Sequence, residues 1–167
     1  MWYNQEKPCD KYITLIVGFY YYIVMYGGVK LSKSLLLTLY PKSDYEINNS
    51  DIIDLLTKAG WSLYSSEGKI EVLDKAESIW IDYNDSEERF RKIPVSKSVY
   101  FRMYHDDDPV ICIKPYKTSL DIWLDLYVPE ICIGNNTFFD YNWCYNNIVN
   151  ALNKKPVLFE RVVFEEY

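Results

Sequence analysis

The sequence predicts an α+β fold: one domain spanning residues 1–167, a mostly antiparallel sheet of short strands, and about two helices. Three observations carry this. Apolar and polar residues alternate with period 2 through most of the second half. Two stretches carry apolar residues at helical spacing between start and stop signals. The connections are short and rich in turn residues, as hairpins require.

The elements follow in chain order. Tyr12 to Tyr26 is an aromatic, uncharged run, punctuated by Gly18 and by Gly27-Gly28, and reads as one or two buried strands. Ser34 to Tyr40 reads as a buried strand stopped by Pro41. A helix follows, with Asn49 or Ser50 as N-cap, Ile52, Ile53, Leu55, Leu56 and Ala59 on its apolar side, and Gly60 in the C′ position. Trp61 to Tyr64 and Lys69 to Leu73 flank the loop Ser65-Ser-Glu-Gly68. Alternation then marks Glu77 to Tyr83, Lys97 to His105, Val110 to Lys114 and Ser119 to Tyr127, with Asp106 to Pro109 as a tight turn. Phe138 to Lys154 reads as the second helix, with Trp143, Ile148, Val149 and Leu152 on one side and Lys154-Lys155 near its negative end. Pro156 stops it, and Val157 to Phe164 is a last strand.

Composition narrows the function classes. The 24 Asp+Glu outnumber the 18 Lys+Arg, giving a net charge of −6, and that balance argues against a nucleic-acid partner, because phosphate neutralisation needs surplus cations. Cys9, Cys112, Cys132 and Cys144 show no C-x-x-C pair and are too sparse for a disulfide scaffold, so they read as buried thiols of a reducing cytosol. The 15-residue run from Tyr12 to Tyr26, five of them Tyr, is short of the ~20 apolar residues that span a bilayer. Glu6 and Asp10 spoil a signal-peptide n-region, and no small-x-small cleavage pattern follows. The expectation is a soluble, cytoplasmic protein with no membrane partner, in which the three sequons are plain polar loops.

No catalytic motif stands out. His105 is the one histidine, and no nucleophile sits in a recognisable elbow near it in sequence. His105-Asp106-Asp107-Asp108 lacks the alternate acids and the glycine of an EF-hand loop, and Pro109 favours a turn there. With six glycines and no G-x-G-x-x-G or Walker pattern, a phosphate cradle has little material. Carboxylate pairs for glycoside hydrolysis are defined by spatial separation, which sequence spacing does not give; acids on a solvated face are the plainer reading. The expectation is a protein without metal, cofactor or catalytic activity.

One pattern rises above this background. In Ser119 to Tyr127, Asp121, Trp123, Asp125 and Tyr127 share the face opposite Leu120, Ile122, Leu124 and Leu126. In Lys97 to His105, Tyr100, Arg102 and Tyr104 oppose Val99, Phe101 and Met103, and in Glu77 to Tyr83, Trp80 and Asp82 oppose Ile79 and Ile81. A sheet face of Trp, Tyr, Arg and Asp has the residue types of interface hot spots. The competing reading is that a helix covers this face and the aromatics form a second core layer.

The stretch Leu35-Leu-Leu-Thr-Leu-Tyr-Pro41 followed by Asn49-Ser-Asp-Ile-Ile-Asp-Leu-Leu-Thr-Lys-Ala-Gly-Trp61, a strand and then a short helix ending in Gly-Trp, resembles bacterial toxin-immunity proteins of the contact-dependent growth inhibition and polymorphic-toxin type. The resemblance implies stoichiometric binding of a cognate, basic toxin domain, often a nuclease. It brings no family-defined binding residues. A carbohydrate-binding module using the aromatic face, and an enzyme of unrecognised type, are the alternatives.

Overall fold

The computed structural model describes residues 34–97, 99–105, 109–125, 132–133, 138–154 and 158–167. The strand expected within Tyr12 to Tyr26, the Asp106 to Asp108 turn and Tyr127 lie outside the described residues. Those residues form the expected α+β architecture, an eight-stranded antiparallel sheet with short helices on one side.

The strands are β1 (Ser34–Pro41), β2 (Trp61–Ser62), β3 (Glu71–Asp74), β4 (Ile79–Asp82), β5 (Phe101–His105), β6 (Val110–Pro115), β7 (Leu120–Asp125) and, after a separate two-stranded ribbon of β8 (Cys132–Ile133) and β9 (Phe138–Phe139), β10 (Phe159–Glu166). Their order is β10-β1-β7-β6-β5-β3-β4, with β2 paired to the far end of β5. β5, β6 and β7 form the expected meander, and β3 and β4 a hairpin. β1 lies second from one edge of the sheet, between β7 and the edge strand β10.

Register explains the core. Leu37, Ile122, Ile113, Phe101 and Val72 lie in one cross-strand row over five strands. Leu35, Leu124, Ile111 and Met103 form the next row, and all of these but Val72 are essentially inaccessible to solvent. Each such side chain contributes about 1.5–3 kcal/mol on burial, before conformational entropy.

The helices cap this side. α1 (Asn49–Thr57) buries Ile52, Ile53 and Leu56 against it. Its N-cap is Asn48, one residue before the expected position: the Asn48 side chain accepts the Asp51 N–H at 2.8 Å. Gly60 has φ +96°, and a Cβ there would lie 3.3 Å from His105 Nε2, so both backbone and neighbour favour glycine.

Several boundaries differ from the sequence reading. Lys97 is in a short 3-10 turn (Val95–Lys97), and the strand begins only at Phe101. Residues 75–78 are a turn, so β4 starts at Ile79. A helix that the period-2 reading missed, α2 (Glu87–Arg91), is capped by Ser86 and anchored by fully buried Phe90 against Phe101, ring centroids 5.3 Å apart. The second expected helix begins late: Phe138 and Phe139 are strand, and Asp140 caps α3 (Tyr141–Cys144) by accepting the N–H groups of Asn142 and Trp143. A π-helical segment (Tyr145–Val149) leads into α4 (Asn150–Leu152), and the run still buries Cys144, Ile148, Val149, Ala151 and Leu152. Among the described residues no helix is long and apolar enough to cross a membrane.

Candidate protein interface

The opposite face of the sheet holds the residues singled out by alternation. One cross-strand row runs Glu165–Leu36–Trp123–Cys112–Arg102, and the next runs Val163–Thr38–Asp121–Lys114. Tyr100 joins beside Lys114, and Tyr104, Trp80 and Asp82 complete the face on β5 and β4. Asp125 aligns with Ser34 at the end of β7. Among the described residues every helix directs its buried apolar residues to the other side, so the second-core-layer reading finds no helix there. Trp80, Tyr100, Arg102, Tyr104, Lys114, Asp121 and Trp123 are half-buried and Glu165 is exposed; Leu36, at 7 % exposure, is nearly covered.

Two clusters organise the face. In the first, Arg102 Nη1 donates to Glu71 Oε2 at 2.9 Å, the Tyr104 hydroxyl donates to the same oxygen, and the guanidinium lies 4.1 Å from the Trp80 ring centroid. Partial burial, then the bond to Glu71 and its charge, push the Tyr104 hydroxyl well above its ordinary pKa, so it stays a donor. Asp82 is held by Lys69 at 3.1 Å. Glu71 organises this cluster, and alternation within single strands did not reveal it, because it enters through the β3–β5 neighbour relation.

No family model, curated protein or solved structure matches the chain. The geometry of the face therefore carries the functional reading.

In the second cluster, Lys114 Nζ donates to the Tyr100 hydroxyl at 2.7 Å and sits between two rings, 4.2 Å from the Tyr100 centroid and 4.4 Å from that of Tyr116. Burial, and then the charge of Lys75, push its pKa down to about 8, opposed by nearby Asp121. Burial in turn raises the Asp121 carboxyl above the usual carboxylate range, while a hydrogen bond from Thr38 and the charge of Lys114 pull it back. Trp123 leans on Tyr167 at a centroid distance of 5.7 Å.

The arrangement offers aromatic rings and charges held by neighbouring side chains. Trp80 already carries a guanidinium over one face of its ring. His105 packs edge-on against Trp61 and Trp143, at 5.1 and 6.3 Å, at the inner end of β5. Among the described residues no three His, Cys, Asp or Glu side chains gather as metal ligands.

Proposed function

We propose that the chain is an immunity protein that neutralises a basic toxin domain of the nuclease class by stoichiometric binding in the cytoplasm. The observation that supports this reading is the row Glu165–Leu36–Trp123–Cys112–Arg102 with its flanking clusters. Its Arg, Lys, Tyr and Trp side chains are tied to one another or to neighbours by hydrogen bonds and ring contacts, which lowers the entropy lost on association. Trp123 and Tyr104 are the anchors. Asp121, Asp125 and Asp82 supply negative charge, and the net charge of −6 steers a basic partner.

The test is co-expression and titration with the protein encoded directly upstream. The expected result is a 1:1 complex that abolishes the partner's toxicity, with association slowing as salt rises. Trp123→Ala should raise the dissociation rate about 30-fold, equivalent to ~2 kcal/mol, and Asp121→Asn should mainly slow association. The control substitution belongs on α1. Asp51 accepts from the Asn48 side chain and is tied to the cap, whereas Asp54 pairs with Arg91 at the surface, so Asp54→Asn is the cleaner choice. No complex with the upstream product, or wild-type affinity in a folded Trp123→Ala variant, overturns the assignment to this face.

A further inference from the structure

At one end of the sheet, apart from the two clusters above, lies an open cleft of about 670 Å³, with room for a small metabolite. It is built where three segments meet: the end of β1 with the following turn, the β6–β7 turn, and the start of β10. A bulge opens it. Tyr40 pairs with Arg161 but Pro41 pairs with Phe159, so Glu160 is the extra residue and the two strands part there. The Tyr116 N–H donates to the Ser119 carbonyl at 2.7 Å, closing the tight turn that presents Lys117 and Thr118 at the opposite wall.

The charge at this cleft runs against the rest of the protein. Of the four arginines, Arg89, Arg91 and Arg102 each pair with a carboxylate, at 2.9, 2.7 and 2.9 Å. Arg161 forms no ion pair among the described residues; its guanidinium carbon lies over the Tyr40 ring, 3.8 Å from the centroid. That contact holds the guanidinium at the ring without neutralising its charge, and its N–H donors remain for an acceptor. Lys42 and Lys117 line the same cleft, likewise without an ion pair among the described residues. Glu160 is the one acid in the lining, against three cations, in a chain where acids outnumber bases. Ser43 and Thr118 add hydroxyl donors.

The geometry points to a binding site for a phosphorylated small molecule, with Arg161 as the bidentate phosphate ligand, Lys42 and Lys117 as point charges, and Tyr45 as an apolar wall. A planar fork matches a phosphate edge, and two flexible ammonium groups neutralise the remaining charge. This assignment does not rest on the toxin-binding reading and survives its failure.

The test is calorimetric and NMR titration of the full chain with pyrophosphate and with AMP at fixed ionic strength, adenosine serving as the neutral control. Saturable 1:1 binding of the two phosphates is expected, with none of adenosine alone. Arg161→Gln should weaken binding about 10-fold or more, Arg161→Lys less, and Lys42→Gln or Lys117→Gln about 3- to 5-fold each. Lys58→Gln, at an exposed lysine just after α1, should change nothing. Each variant is checked for an unchanged melting temperature; Arg161 and both lysines are exposed, so folding should be unaffected. The site is overturned by no saturable binding up to about 10 mM, by an equal loss in Lys58→Gln and Arg161→Gln, or by a short oligonucleotide binding far more tightly than either phosphate.

Discussion

The two faces of one sheet contrast sharply. On the inner face, rows of Leu, Ile, Phe and Val meet helices and are dry; on the outer face, the same strands present Trp, Tyr, Arg, Lys and Asp that satisfy one another laterally. Both faces are ordered, but by different physics. The inner face is held by area removed from water, which is non-directional. The outer face is held by hydrogen bonds and ring–cation contacts, which are directional and sensitive to pH and salt. Stability should therefore reside inside and recognition outside.

The largest test of that division is a paired truncation. Phe101→Ala, at a fully buried inner position, should cost about 3–5 kcal/mol. Trp123→Ala, half-buried on the outer face, should cost about 1–2 kcal/mol by denaturant unfolding. Equal losses would make the outer aromatics a second core. Next is the helical cover of the inner face: Asn48→Ala removes the acceptor for the Asp51 N–H and should lower stability by about 1 kcal/mol.

A smaller effect belongs to the outer face alone. The Lys114 pKa is about 8 folded and 10.5 in its ordinary state, so between those values the unfolded chain binds more protons. Its contribution to stability is therefore full above about 10.5 and is lost as pH falls through about 8. Lys114→Met should flatten that rise in a pH series of unfolding curves. Asp121 has the opposite sign: its raised pKa favours the fold at low pH, so Asp121→Asn should leave neutral-pH stability unchanged or higher. The smallest effect is expected at Lys92→Ala, which breaks an exposed pair with Glu88 and should shift stability by no more than about 0.5 kcal/mol.

Alternation assigned the described outer residues to one face because the strand period is 2 whatever the topology. It misplaced strand ends, since Val95 and Val99 continue the apolar rhythm through a 3-10 turn and into an irregular segment. It missed α2, whose five residues bury one side chain and so show no periodicity, although Ser86 followed by two glutamates marked its start. It read Phe138-Phe139 as helical because two adjacent aromatics fit either period; Asp140 was the boundary signal. It also treated Ile79 and Ile81 as inner residues, yet both are exposed, because β4 is the sheet's edge and the core does not reach it. The contributions of Glu71, Thr38 and Arg161 to the outer face depend on which strands are neighbours, which no local pattern encodes.

The position of β1 between two strands that follow it in the chain has a consequence for synthesis. Its two partners are β7 and β10, so Leu35 waits for Leu124 and then for Glu166 before both its edges are closed. A ribosome delivers these strands in order, and the growing chain carries a strongly apolar strand with an open edge until β10 is made. Pairings that span so much of the sequence make folding slow relative to a hairpin meander such as β5–β7. During translation the meander is the natural first structure, and β1 stays exposed until β7 and then β10 arrive.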